Sequence, residues 1–401
     1  MALTTDIRQD VDEILPGVVA DRRHLHENPE LGFQEVKTSA FVTERLKSLG
    51  VEDIRTGINT TGVTGLIRGT GTGPGKDKVV LVRADMDALP ILEENKVDYK
   101  SQNDGSMHAC GHDSHTAMLL GLSRLLVDRR DQFAGTVKVL FQPAEELPPG
   151  GAEGMIREGV LEDPHVDVVF GLHVSSDTET GVIKVGHGPI MAAADAYAIT
   201  VQGRGGHGAS PHNSVDPVII GSHIVVALQT LVSRETDPTD QAVVSNCVFK
   251  AGEAFNVIPD TALLKGTVRT FKPETRDHLE KRIGELASGI AEAMGGKADV
   301  EYTRGYPASV NDEAMSDLVR EAATGIVGAE NVQVAEPKMG AEDFSYFLLE
   351  RPGCFFFVGT KNDEKDTGWP HHHPRFDIDE EGMTAGIATM ATTVVSCLSA
   401  G

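Results

Sequence analysis

The sequence has little cysteine, little positive charge and no long uninterrupted apolar run, and each shortage excludes a class of protein. Its four cysteines, Cys110, Cys247, Cys354 and Cys397, lie far apart and never form Cys-x-x-Cys, which suits a reducing cytoplasm better than a disulfide scaffold. Lys and Arg total 36 against 60 Asp and Glu, a formal charge of -24, so nucleic acid and anionic membrane are disfavoured as partners. No stretch reaches the ~18 apolar residues of a spanning helix. The first ten residues lack the basic start and apolar centre of a secretory signal. A soluble cytoplasmic protein without nucleic-acid or membrane partners is expected. At 401 residues the chain has room for two domains, since single cores stop growing near ~250–300 residues.

What is present is concentrated in one stretch, Met107-His108-Ala109-Cys110-Gly111-His112-Asp113-Ser114-His115-Thr116. A thiol with a histidine two residues on, set in a glycine turn, offers two donors that can bend toward one divalent ion. A plainer reading is a polar helix start, with Asp113 or Ser114 capping a helix from Thr116 and the histidines solvated. A third makes Cys110 a nucleophile with a nearby histidine as base. Other ligand candidates decide between these readings if they converge.

Residues 6–25 read as an amphipathic helix perturbed by Pro16, and residues 37–49 as a second helix ending at Gly50. Residues 62–68 suggest an edge strand, and the glycine-rich residues 69–75 a hairpin turn into the next strand. Residues 78–83, 136–141, 165–170 and 353–358 are near-continuous apolar runs separated by helical segments such as 116–127. This is the pattern of central strands covered on both faces, an α/β domain. Polar residues follow these runs: Asp85 and Asp87, Glu145 and Glu146, His173, and the loop holding His371, His372 and His373. In open α/β sheets the functional crevice lies beyond the carboxyl ends of the strands.

The texture changes between about residues 188 and 301. A strand (195–202), a helix (217–233), two strands (243–250 and 262–270), a helix (274–294) and a strand (298–302) give the ferredoxin-like order. The expected division is a catalytic domain of residues 1–187 and 304–401 with an inserted α+β domain of residues 188–303. Residues 203–208 formally satisfy Gly-x-Gly-x-x-Gly, but the helix begins too late, past Pro211, to place its N-terminus on a pyrophosphate. A mobile glycine loop presenting His207 is expected instead.

Glu145-Glu146 is ordinarily a solvated pair. At a strand end, one carboxylate could bind metal while the other takes a proton from water. His173 could be a satisfied core histidine, and the three histidines from 371 a fortuitous basic turn. Yet Cys110, His112, Glu146, His173 and one of those three make five donors, more than a lone tetrahedral zinc needs. Five donors suggest two ions.

With these residues in hand, the chain resembles the M20 metallopeptidase family, most closely its amidohydrolase branch of hippurate hydrolases, N-acyl-amino-acid amidohydrolases and plant auxin-conjugate hydrolases. The matching motifs are residues 22–31, 83–91, 108–113, 141–146, 206–209, 256–259, 339–344 and 372–376, which span nearly the whole chain. The resemblance implies a zinc-peptidase-like catalytic domain, with a mixed central sheet covered by helices, and an inserted lid that forms a homodimer or a dimer of dimers. It implies two divalent ions, Zn²⁺ or Mn²⁺ with Co²⁺ or Ni²⁺ as alternatives, on Cys110, His112, Glu146, His173 and His372. The family's ligand histidine stands two residues before the proline, which selects His372 over His371 and His373. Glu145 maps to the general base and His207 to a group polarising the scissile carbonyl, in cis or from a partner subunit. Asn256 and Arg269 map to substrate binding. The implied reaction is hydrolysis of an N-acyl amino acid, with a metallo-carboxypeptidase or dipeptidase of the same family, a cysteine-nucleophile hydrolase and a catalytically silent scaffold as rivals.

Overall fold

A computed structural model of the protein describes residues 3–399, which divide into two compact units. The first runs to Ile190 and resumes over Ser309–Glu336 and from Asp343; the second comprises Met191–Ala308 with Pro337–Glu342.

The first unit begins with α1 (Leu3–Glu27), α2 (Val36–Leu49), β1 (Glu52–Ile58), β2 (Gly62–Arg68), β3 (Val79–Asp85), α3 (His112–Asp128), β4 (Thr136–Gln142), β5 (Val168–Glu179) and β6 (Ile183–Val185). The second unit supplies β7 (Ala193–Gln202), α4 (Pro217–Thr230), β8 (Ala242–Ala251), β9 (Thr261–Thr270), α5 (Pro273–Ala293) and β10 (Lys297–Arg304). The first unit then closes with α6 (Glu313–Val327), β11 (Val332–Val334), β12 (Gly353–Lys361) and α7 (Gly382–Ser399).

Eight strands of the first unit form one mixed sheet in the order β1-β2-β4-β3-β5-β12-β6-β11. Its centre, β4, β3, β5 and β12, is parallel throughout, so those strands end on one edge. Every residue of β3 is buried, as the apolar runs require of strands covered on both faces. Helices α1, α3 and α7 pack on one another, with α3 and α7 lying against the sheet. Pro16 sits inside α1 without ending it. Ile7, Val11, Val18 and Leu25 are all buried, and their packing outweighs the lost hydrogen bond.

Several expected local features are corrected. Residues 62–68 are not the edge, because β1 lies outside them. The glycine-rich segment is not a hairpin: β4 is inserted between β2 and β3. Its glycines lie instead against the chain entering β4, with Gly69 N donating to Gly135 O and Gly71 N to Phe133 O. The third apolar run continues as strand to Glu179, so His173 lies within β5 and not after it. Helix α3 starts at His112, four residues before the apolar run, and neither Asp113 nor Ser114 caps it.

In the second unit four strands form an antiparallel sheet in the order β8-β9-β7-β10, the ferredoxin-like arrangement. Burial alternates residue by residue along β7, the mark of a sheet with one covered face. Ile220, Ile224 and Leu228 of α4 and Leu279 and Ile283 of α5 form the core on that face.

Among the described residues, two helices are long and apolar enough by length and composition to cross a membrane, which corrects the expectation that no such segment exists. They are Pro217–Glu235 and Gly382–Ser399. Glycine, serine and threonine interrupt their apolar runs, yet mean hydropathy stays high enough over each helix. The second is a mostly buried core helix of the first unit. The first exposes Ile219 and Val226.

Candidate metal centre

The carboxyl edge of the parallel strands builds the site. Asp85 ends β3 in register with Gln142, which ends β4; Asp87 and Glu145-Glu146 follow just beyond. Cys110 and His112 flank the start of α3. Between them Gly111 has φ +91, and a Cβ there would stand 2.4 Å from the Val174 side chain, so only glycine lets the two donors turn inward. His371, His372 and His373 stand on the loop between β12 and α7. That loop is tied down where His372 N donates to Ala109 O at 2.8 Å.

Among the described residues, four overlapping donor sets drawn wholly from the first unit lie within reach of an ion: Cys110 with His173 and His371, Cys110 with Glu146 and His372, His112 with Glu145 and Glu146, and His112 with His115 and His173. Cys110 Sγ is 3.5 Å from His173 Nε2 and 3.7 Å from His371 Nδ1. His372 Nε2 is 3.0 Å from Glu146 Oε1. All five expected ligands and Glu145 are thus gathered in one place, together with His371 and His115.

Asp87 organises this cluster. One carboxylate oxygen accepts from Glu145 N at 2.9 Å and the other from Glu146 N at 3.0 Å. The Asp87 carbonyl lies 3.0 Å from His112 Nδ1. A single residue therefore fixes the backbone of the Glu-Glu pair and the ring of His112. Asp85 holds His115 Nδ1 at 2.7 Å, and His115 Nε2 accepts from Val174 N at 2.9 Å. Arg83, fully buried, donates to Asp85 and Asp343. On the far side of α3, Asp113 meets Arg22 Nε at 2.8 Å and His26 Nδ1 at 2.7 Å, and Arg22 reaches Asp377 at 2.7 Å. Asp113 is thus a support that ties α3 to α1. His108 is buried with neither ring nitrogen hydrogen-bonded, and burial pushes it down to about 4.

The electrostatics favour a cation. Burial, with Glu146 and Glu145 beside it, holds the Cys110 thiol well above its ordinary range. Burial opposes charge on His112, but Asp85, then Asp87 and Glu146, carry it up to about 10. Burial and the neighbouring imidazoles of His115 and His371 push His173 down. Protons are therefore retained on the anionic side of the cluster, where a divalent ion would displace them.

The donors fit divalent metal on one observation above others. His112 Nε2 is buried and makes no hydrogen bond, while its other nitrogen is taken by the Asp87 carbonyl. This is how metal-bound histidines are ordinarily oriented. Thiolate, imidazole and carboxylate together suit a borderline ion such as zinc.

The second unit carries the remaining candidates. His207 and Asn256 are exposed neighbours on a short ribbon pairing Gly206–His207 with Val257–Ile258, where Gly208 N donates to Asn256 O at 2.8 Å. The glycine segment is hydrogen-bonded into this ribbon: Gly203 N donates to Asp260 O and Gly205 N to the Asp260 carboxylate. Arg269 stands instead on β9, half-buried, donating to Thr267 and to Val268 O.

Sequence reading passed over Glu35. Its buried carboxylate accepts from Ala144 N at 2.8 Å and from Thr61 Oγ1 at 2.6 Å. Ala144, immediately before Glu145, has φ +53, a conformation that disfavours a side chain. Burial pushes Glu35 up to about 7. A carboxyl group raised on folding contributes stability that is complete below its unfolded value and lost as pH rises through its folded one. Glu35→Gln, which can still accept from Ala144 N, is therefore expected to be more stable than the parent at pH 8, by about 1–3 kcal/mol. The gain should vanish near pH 5. Chemical denaturation at the two pH values checks this, and an equal difference at both would refute it.

Residues 81–396 match the family described as Peptidase family M20/M25/M40. An N-acetyl-L-cysteine deacetylase of Bacillus subtilis (strain 168) is 42% identical over 91% of this chain and 84% of its own. Thermostable carboxypeptidase 2 of Saccharolobus solfataricus is 40% identical over 98% and 99%. The crystal structure of the Bacillus subtilis YXEP protein, described as a dinuclear metal binding peptidase from the M20 family, superposes with a TM-score of 0.82 at 35% identity, covering 96% of this chain and 99% of that one.

Proposed function

The chain belongs to peptidase family M20/M25/M40 and is an amide-bond hydrolase, and on that premise we propose that it cleaves N-acyl amino acids to a carboxylate and a free amino acid. The proposed ligands are Cys110, His112, Glu146, His173 and His372, with Glu145 as the base. The observation that carries this reading is the Asp87 clamp. It holds two adjacent carboxylates by their backbones, leaving one side chain to the donor cluster and the other to move protons.

Divalent ions bound there, with Zn²⁺ or Mn²⁺ the proposed occupants, would polarise the scissile carbonyl and acidify the attacking water. The protein's own residues do the rest. Glu145 takes a proton from the attacking water and later delivers it to the leaving amine, so one carboxyl group serves both halves of the reaction. His112 is held in a single orientation by Asp87, and His173 by its place within β5. His207 is the proposed donor to the developing oxyanion. Asn256 and Arg269 are the proposed substrate contacts, the guanidinium matching a carboxylate.

A second reading, metallo-carboxypeptidase, is favoured by the 40% identity to a protein named Thermostable carboxypeptidase 2. A panel of N-acetyl, N-benzoyl and indole-acyl amino acids beside N-blocked and free dipeptides separates the two. At least about tenfold higher kcat/KM on the N-acyl amino acids is expected. The reverse ranking would overturn the amidohydrolase assignment in favour of the carboxypeptidase.

A further inference from the structure

The three consecutive histidines after β12 point three ways. His373 stacks on Trp369, with ring centroids 4.5 Å apart, and accepts from Arg375 N. His372, at φ +66, turns toward Glu146 with half of its side chain exposed. His371 turns the other way, with Phe376 packed on its ring at 4.9 Å, and its Nδ1 faces Cys110 and His173. The left-handed turn at His372 is what lets two adjacent side chains address opposite halves of the cluster.

We propose that His371 is a metal ligand in its own right: with Cys110 and His173 it serves one ion position, while His372 and Glu146 serve the other, Cys110 is shared, and His112, within reach of both His173 and Glu146, keeps its place among the ligands. This rests on the reading that the site holds two divalent ions. Geometry supports the division. Tetrahedral zinc with one sulfur and two ring nitrogens at ordinary bond lengths has S···N edges of about 3.5 Å and N···N edges of about 3.3 Å. The two distances from Cys110 Sγ, 3.5 Å to His173 and 3.7 Å to His371, match those edges, and the three donor atoms lie within 4.8 Å of one another. The second set, Cys110 with Glu146 and His372, reuses the sulfur, and a thiolate has lone pairs enough to bridge.

Metal binding tests this without reference to turnover. The purified protein, stripped and dialysed, is titrated with Co²⁺ while thiolate-to-cobalt absorption is followed, and bound Zn²⁺ is counted by mass spectrometry after reloading. The parent is expected to hold two ions per chain. His371→Ala should hold one at unchanged affinity and the other at least about 10–100-fold more weakly, since even residues behind the ligands have effects of that size. His371→Cys, which returns a donor, should recover the second ion. Two ions at parental affinity in His371→Ala would overturn this assignment and leave the dinuclear reading standing. Fewer than two in the parent would overturn both. If His371→Ala is unfolded by circular dichroism, His371→Cys decides: failure of the folded cysteine variant to change the cobalt spectrum overturns the proposal.

Discussion

Glu145→Gln is expected to keep its metal and lose about 10²–10⁴-fold in kcat, the usual worth of a positioned general base. The substitution is nearly isosteric, and the backbone at this position is anchored by the Asp87 carboxylate, so the neighbouring Glu146, the proposed ligand, has no reason to move. What disappears is the capacity to take a proton from water and return it to the leaving nitrogen. KM should change far less than kcat, because Glu145 is asked to act on the reacting atoms and not on the bound substrate. Metal analysis on the same sample separates a lost base from a lost ion. Turnover near the parental rate would show the base assignment to be wrong.

The second large effect is expected from chelation. Removing the ions should abolish activity, and Zn²⁺ or Mn²⁺ should restore it. The contrary outcome is equally clear: indifference to chelators, with inactivation by a thiol alkylator that leaves metal content unchanged, would make Cys110 a nucleophile. The local charges argue against that outcome. A nucleophilic cysteine needs its thiolate, and such residues sit in electropositive surroundings. Burial, Glu146 and Glu145 all push the Cys110 thiol up, so the protein's own groups oppose the thiolate and only a cation reverses the balance.

Much of this arrangement could be read from residue order, for identifiable reasons. Strands β3, β4, β5 and β12 announced themselves because strands buried on both faces are written as unbroken apolar runs. The ligand candidates were visible because thiol, imidazole and paired carboxylates at strand ends have few other uses in such company. Edge strands were harder: β1 reads Glu-Asp-Ile-Arg-Thr-Gly-Ile and buries only its last residue fully, so no periodicity marks it. The insertion of β4 between β2 and β3 is a pairing choice among distant segments, and a short glycine-rich connection suggests the wrong neighbour. The roles of Asp87 and Glu35 were hidden for a related reason. Each acts by accepting backbone N–H groups near position 145, and nothing in the identity of the recipient residues records that. The helix start at His112 was misplaced because Gly111, not a polar side chain, makes the turn. His371 was set aside by a rule counting back from proline, which carries no information about which way a side chain points.

The position of β12 in the sheet has a consequence for how the chain is made. It lies between β5 and β6, yet the second unit and α6 are synthesised before its first residue, Gly353. During translation the second unit has its four strands and two helices complete by Arg304, all close in sequence, and can fold while the earlier sheet still waits. Until Gly353–Lys361 emerges, β5 presents an open, apolar parallel edge, the kind of surface on which nascent chains associate wrongly. Parallel pairing over so long a separation is slow to form. The segment from Gly353 onward is therefore integral to the sheet: β12 closes its middle, and a chain cut short before it would leave a ribosome with one finished unit and one unsealed.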